Sequence, residues 1–274
     1  MALPQSAQPV VNPPFLRWAG SKRRLVPVLR TYWKPHHTRY LEPFAGSACL
    51  FFSLNPPRAI LGDVNDDLIS TYLEVKYRLD ALINHLSTLR RSKREYKKLR
   101  SLVPVKLTPC ARAARFIYLN RCCFNGLYRT NLNGEFNVPY GGEKSGKVPS
   151  ADLLRRCSKR LMKTRLIAGD FDRVLQQARK GDFVYMDPPF AVRARRVFNE
   201  YHPDTFGSED IGRLRLWMEK LDRKGISFLV SYAKSAEAHI LAAGFDCRRV
   251  SVRRNIAGFA ADRSDSIEIL ISNT

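Results

Sequence analysis

Asp182-Phe183-Val184-Tyr185-Met186-Asp187-Pro188-Pro189-Phe190 sets four apolar residues directly ahead of an acid, two prolines and an aromatic. An apolar run that short, stopped by a carboxylate and a Pro-Pro turn, predicts a strand buried on both faces, as in a parallel sheet. Ligands of open α/β sheets bind in the crevice beyond the carboxyl ends of such strands. The prolines fix the turn and leave no backbone donor, so the Asp187 carboxylate and the Pro188 carbonyl can both accept hydrogen bonds from an amino group. Phe190 adds a flat face for stacking. Two acceptors aligned on a conjugated purine amino group help localise its lone pair, which makes Asp187, Pro188, Pro189 and Phe190 the candidate catalytic residues.

Outward from this strand the same pattern repeats. Arg39-Tyr-Leu-Glu-Pro and Arg58-Ala-Ile-Leu-Gly-Asp are short apolar runs ending on an acid, each followed by a helix-compatible stretch. The pattern resumes at Arg165-Leu-Ile-Ala-Gly-Asp and Ile226-Ser-Phe-Leu-Val-Ser, with helical segments near 210–221 and 235–243. This alternation predicts an α/β fold with a mostly parallel sheet, and strands near 248–252 and 266–271 add an antiparallel hairpin at one edge. From about Leu68 to Arg121 the pattern is helical and basic without such a strand. That stretch reads as an insertion, so residues 71–160 are set apart from a core formed by 1–70 and 161–274.

The charge balance narrows the partners. Among 274 residues, 47 Lys and Arg stand against 25 Asp and Glu, a net charge of +22 whose self-repulsion a polyanion would offset. Nucleic acid is the first such partner and an anionic membrane surface the second. No apolar run approaches the roughly 18 residues of a spanning helix, and Met1 to Pro14 lacks the regions of a signal peptide, so a cytoplasmic, nucleoid-associated protein without membrane partners is expected. The six cysteines form no C-x-x-C pair, which argues against a structural metal and for reduced, mostly buried thiols.

Leu41-Glu42-Pro43-Phe44-Ala45-Gly46-Ser47-Ala48 follows one predicted strand and opens a helix, putting small residues where backbone must approach a ligand. Gly62-Asp63-Val64-Asn65 ends the next strand on an acid, the place where doubly wound folds accept the two hydroxyls of a ribose. Asn12-Pro13-Pro14-Phe15 and Asn55-Pro56-Pro57-Arg58 also set a polar residue before two prolines. Neither follows an apolar strand, so both read as turns.

Four of these motifs occur in one order: Phe15-Leu16-Arg17-Trp18-Ala19-Gly20-Ser21-Lys22, then Glu42 to Ala48, Gly62 to Asp67, and Asp187 to Phe190. Between the last two lies Leu119-Asn-Arg-Cys-Cys-Phe-Asn-Gly-Leu-Tyr-Arg-Thr-Asn-Leu-Asn-Gly-Glu-Phe-Asn-Val-Pro-Tyr140. With them the chain resembles the Dam family of DNA adenine methyltransferases along nearly its whole length. The late run Val252-Arg253-Arg254-Asn255-Ile256, with Glu268-Ile269-Leu270, is similar to that family's C-terminal hairpin. Departures are Ala48 for a second glycine, Phe190 for tyrosine and Ser21 for glycine.

The resemblance implies a Rossmann-like methyltransferase sheet that uses S-adenosyl-L-methionine, with the insertion as a target-recognition region for double-stranded DNA and no metal. It implies cofactor contacts from Trp18, Ala19, Gly20, Lys22, Glu42, Pro43, Phe44, Gly46, Ser47, Asp63, Val64, Asn65, Asp170, Phe171 and Asp187. Asp170 would accept from the cofactor adenine or else act as an ordinary helix cap, and Lys22 would touch the cofactor carboxylate or else be one more surface cation. DNA contacts are implied for Arg17, Phe124, Asn125, Leu127, Arg129, Asn131, Asn137 and Pro139. Phe124 would fill the stack left by a flipped adenine or else be a core aromatic. Arginine at 17 and 129 with apolar Leu127 and Pro139 suits guanines flanking thymine methyls, as in GATC. Two alternatives stay open: the same chemistry on structured RNA, and a DNA-binding relative without catalysis.

Overall fold

The computed structural model describes residues 12–131, 134–190, 206–253 and 265–274. Its strands are β1 (Arg39–Glu42), β2 (Ala59–Asp63), β3 (Thr164–Ala168), β4 (Asp182–Met186), β5 (Ser227–Ala233), β6 (Asp246–Arg253) and β7 (Asp265–Ser272). Together they form one sheet in the order β3-β2-β1-β4-β5-β7-β6. The first five in that order run parallel, and β7 is antiparallel to both β5 and β6. Strand order reverses between β1 and β4, which opens a crevice beyond their carboxyl ends, as in Rossmann-like sheets. The late pair near 248–252 and 266–271 is thus an antiparallel hairpin at one edge; Arg254 to Ile256 lie outside the described residues.

The continuous apolar run of β4 has a plain cause. Phe183 and Tyr185 enter one buried cluster while Val184 and Met186 enter the other, so alternate side chains serve two cores. The second cluster is completed by α8 (Asp172–Leu175), α9 (Ser208–Arg223) and α10 (Ala236–Ala242). Register at the amino end of β4 is locked by charge. Arg39 opposite Asp182 donates through two nitrogens at 3.0 and 2.6 Å to that fully buried carboxylate.

The first cluster takes in α1 (Val26–Leu29), α2 (Cys49–Leu54), α3 (Asp66–Tyr77), α4 (Leu79–Ser87), α6 (Pro109–Cys122) and α7 (Ala151–Leu161), while α5 (Lys93–Ser101) packs with the end of α6 in a third cluster. Asn65, Ser92, Thr108 and Ser150 cap α3, α5, α6 and α7 with side-chain oxygens, satisfying amides that a helix start leaves open. The basic run from Lys76 to Arg100 spreads over the end of α3, α4, the turn after it and α5, and α5 holds the densest part. It turns Lys93, Arg94, Lys97 and Lys98 outward and buries Tyr96 and Leu99. Helices of the insertion share the main core, since Leu82, Leu86, Ala113 and Ile117 pack in one cluster with Tyr40 and Phe183.

The amino-terminal turn is more than a turn. Asn12 is buried and joined to α7, accepting from Arg156 Nε at 3.2 Å and lying 3.5 Å from Cys157 Sγ, while Phe15 is wholly enclosed. Asn55 ends α2 in the left-handed conformation, as turn chemistry requires. All six cysteines are free, with Cys49, Cys122, Cys123 and Cys157 buried, Cys110 partly covered and Cys247 exposed. Among the described residues no helix is long and apolar enough to cross a membrane, and no three His, Cys, Asp or Glu side chains converge as metal ligands.

Candidate active site

A cavity of about 1110 Å³ lies over the carboxyl ends of β1, β2 and β4. Trp18, Ala19, Gly20 and Lys22 line it from the amino-terminal loop, Glu42, Pro43, Phe44, Gly46 and Ser47 from β1 and the turn after it, and Asp63, Val64 and Asn65 from β2. Asp170, Phe171, Asp187, Pro188, Pro189 and Phe190 complete the wall. Single-ligand pockets span roughly 300–1,000 Å³, so this one has room for a cofactor and part of a second reactant.

Asp187 is the most constrained of these groups. Its Oδ1 meets Lys22 Nζ at 2.7 Å and accepts from Ser231 Oγ at 3.1 Å, and Ser231 lies 2.9 Å from the Tyr185 hydroxyl. Lys22 is buried rather than a surface cation. Its ammonium also reaches the Gly20 carbonyl at 3.3 Å and Glu268 Oε1 at 3.8 Å, and sits 5.7 Å from the Phe190 ring centre. Phe190 is 41% exposed and leans edge-on against Tyr232.

The turn between β1 and α2 is held by the next strand. Asp63 accepts from Gly46 N–H at 2.9 Å and Asn65 N–H at 3.0 Å, one on each carboxylate oxygen, and the Tyr72 hydroxyl donates to the Gly46 carbonyl at 2.7 Å. Burial raises the Asp63 carboxyl and those two donors oppose it. Gly46 (φ +45°) faces the Trp18 indole so closely that a Cβ would stand 2.7 Å from it. Ala48, where a glycine was the expected residue, adopts φ +50° with its methyl buried. Glu42 is buried and accepts from the Tyr40 hydroxyl at 2.9 Å; burial drives its carboxyl well above the usual range, with Tyr40 opposing and Asp187 and Asp63 adding to the rise. Three acidic groups on the floor suit a cationic ligand.

Asp170 is held in the turn ahead of α8, whose N-cap is Phe171, and in an ion pair. It accepts from Asp172 N–H at 2.9 Å and from Arg213 at 2.7 Å, while Arg213 also holds Asp172 and Asp210 and covers the Phe171 ring at 4.5 Å. Those hydrogen bonds raise the guanidinium further. Arg213 was missed in the sequence. Its three-residue spacing from Asp210 on one helix face was the signal available.

Residues 123–131 and 134–140 pair as the two arms of a hairpin, bridged at Cys123–Tyr140 and Thr130–Phe136. Phe124 is 45% exposed, beside Asn125 at φ +54°, so it is not a core aromatic. Arg129 Nε donates to Asn137 Oδ1 at 2.7 Å, and Asn131 pairs with Glu135 through Nδ2 at 2.8 Å. Pro139 is exposed and Leu127 is half-buried against the cluster of Tyr96 and Phe136. Arg17 joins this side, because Asn120 of α6 clasps its backbone at 2.9 and 2.6 Å and its side chain lies against Gly126. The candidate DNA residues thus gather on the hairpin and its base.

A family model described as D12 class N6 adenine-specific DNA methyltransferase matches residues 18–256. Type II methyltransferase M1.LlaDCHI of Lactococcus lactis subsp. cremoris is 35% identical over 269 residues, covering 95% of this chain and 95% of that one. Type II methyltransferase M.MjaIII of Methanocaldococcus jannaschii is 34% identical over 284 residues, covering 95% and 98%. The DNA adenine methylase of Escherichia coli K12 is 32% identical over 273 residues, covering 94% of each.

Proposed function

The chain belongs to the D12 class N6 adenine-specific DNA methyltransferase family, and from that membership and the Asp187 site we propose that it methylates N6 of adenine in double-stranded DNA, within GATC, using S-adenosyl-L-methionine. The observation that carries the reading is Asp187-Pro188-Pro189-Phe190 at the end of β4, opening on a large cavity floored by Glu42 and Asp63. When bound, the cofactor supplies an electrophilic methyl group on a positively charged sulfur. Glu42 and Asp63 favour positive charge in that cavity, and Gly46, lacking a Cβ, lets the Trp18 indole lie against the backbone of its wall. Asp187 and the Pro188 carbonyl accept from the target amino group and Phe190 stacks on its ring.

A duplex adenine does not reach such a cavity without leaving the stack, and exposed Phe124 is the side chain proposed to fill the gap. In this division of labour residues 71–160 recognise the target, and 1–70 with 161–274 bind cofactor and catalyse. Arg17, Leu127, Arg129 and Pro139 are the proposed base readers, with Asn125, Asn131 and Asn137 beside them. The test is incubation of unmethylated plasmid with protein and labelled cofactor, then digestion with paired endonucleases that cut GATC only when methylated or only when unmethylated. Label in adenine with acquired protection at GATC supports the reading. Label in another base overturns the chemistry, and adenine label mapped elsewhere overturns GATC alone.

A further inference from the structure

Tyr128 projects from the hairpin between Leu127 and Arg129, yet it lines the cofactor cavity. Its ring stacks on Trp18 with centres 5.8 Å apart and planes 15° from parallel. Around the other side it packs on Phe116 of α6 at 5.3 Å and on Phe136, its neighbour across the hairpin, at 5.7 Å. Trp18 in turn presses on Gly46, whose N–H is bound by Asp63, whose other oxygen binds Asn65 N–H. The Asn65 side chain faces the Tyr128 hydroxyl and closes the ring, and burial keeps that phenol protonated by pushing it up to about 12. Every member of this circuit except Phe116 and Phe136 touches the cavity.

We propose that Tyr128, through its stack on Trp18, is a positioning residue that couples occupation of the cofactor cavity to the seating of the base-reading hairpin. The inference rests on the functional reading above. A ligand bound against Trp18 and Gly46 restricts the indole, and the indole restricts Tyr128. Because Leu127 and Arg129 are its chain neighbours, ordering Tyr128 orders them as well. Linkage makes the effect mutual, so target DNA bound to the hairpin tightens cofactor binding by the same factor.

The test measures affinity of the full-length protein for a fluorescent duplex carrying the mapped methylation site, with and without saturating S-adenosylhomocysteine. The wild type is expected to bind the duplex about tenfold more tightly with the cofactor product, inside the roughly 5–150-fold span of such couplings. Tyr128→Phe keeps the stack and retains the factor. Tyr128→Leu fills similar space without stacking, and its factor falls below about twofold while each ligand still binds alone and Tm stays within a few degrees. Phe136→Leu, outside the cavity, loosens Tyr128 from the hairpin side and reads the same loss if Tyr128→Leu fails to fold. An unchanged factor in the leucine variants, or none in the wild type, overturns the coupling. Failure of the wild type to bind S-adenosylhomocysteine at all overturns the functional reading and the coupling with it.

Discussion

Lys22 Nζ stands 2.7 Å from Asp187 Oδ1 inside the protein, with Glu268 Oε1 3.8 Å away. A buried ammonium between two carboxylates offsets their repulsion, which buried Glu268 cannot relieve by solvation. Lys22→Met is therefore expected to destabilise the fold by about 3–5 kcal/mol, the usual cost of removing one partner from a buried ion pair. Urea unfolding checks it. A loss under about 1 kcal/mol would class the contact with exposed pairs, which contribute little.

Asp187→Asn keeps the shape of the side chain and surrenders one acceptor to an amide. Turnover is expected to fall by roughly a hundredfold or more, with S-adenosylhomocysteine and duplex affinity changed far less, because the carboxylate acts as the reaction is approached. Single-turnover kinetics beside calorimetry separate the two effects. Asp187→Ala retaining more than about a tenth of the wild-type rate would remove Asp187 from the chemistry.

Phe190 tests the stacking surface. Since the ring is 41% exposed, truncation costs the fold little. Phe190→Ala is expected to lower kcat/KM by roughly 5- to 150-fold, equivalent to the 1–3 kcal/mol of one base–aromatic stack, while Phe190→Tyr stays near the wild type. Equal activity of the two variants would mean that the adenine is held by other groups.

These residues were legible from sequence because each ends or follows a strand whose apolar run announces itself, as β4 announces Asp187. Lys22 was read only as far as its motif, since nothing local to it says that Glu268, far along the chain, passes beside it on β7. Tyr128 was overlooked for a related reason. Leu127 and Arg129 carry the side-chain chemistry of base readers, and the alternation of a hairpin turns the residue between them to the opposite face. Asn12 misled in the other direction. Its Pro-Pro context is that of a turn, and only the packing of α7 reveals a buried anchor.

His37 sets an expected pH dependence. Its ring is buried against Phe183 and Trp33, Nδ1 accepts from Lys34 N–H at 2.9 Å, and Nε2 has no hydrogen-bond partner among the described residues. Burial, with His36 and Lys34 nearby, lowers its pKa from 6.5 to about 4. Between those values the unfolded chain binds a proton that the folded protein refuses, so stability is full above pH 6.5 and falls as pH drops toward 4. The loss amounts to about 3 kcal/mol. His37→Gln keeps an acceptor for Lys34 and should flatten the slope over this window. Parallel urea titrations from pH 7 to 4 decide it: identical slopes for the two proteins would assign the acid sensitivity to other groups.

Arg129 and Asn137 carry the last expectation, because the 2.7 Å bond between them fixes the plane of a guanidinium on the exposed hairpin. A planar fork held in register matches the O6 and N7 acceptors of guanine, and one such contact gives about 1–3 kcal/mol of discrimination. If the site is the proposed GATC, Arg129→Ala should then erode the preference for its outer G·C over A·T by roughly 5- to 150-fold in kcat/KM, while affinity for unrelated duplex changes much less. Asn137→Ala removes the amide oxygen that holds Nε and leaves the guanidinium present, so the preference should weaken in the same direction by a smaller factor. Duplexes differing only at the outer pair, compared at fixed salt, provide the measurement, since phosphate contacts respond to salt and base contacts respond to sequence. An equal drop on every duplex would make Arg129 a backbone contact and move the reading of guanine to another residue.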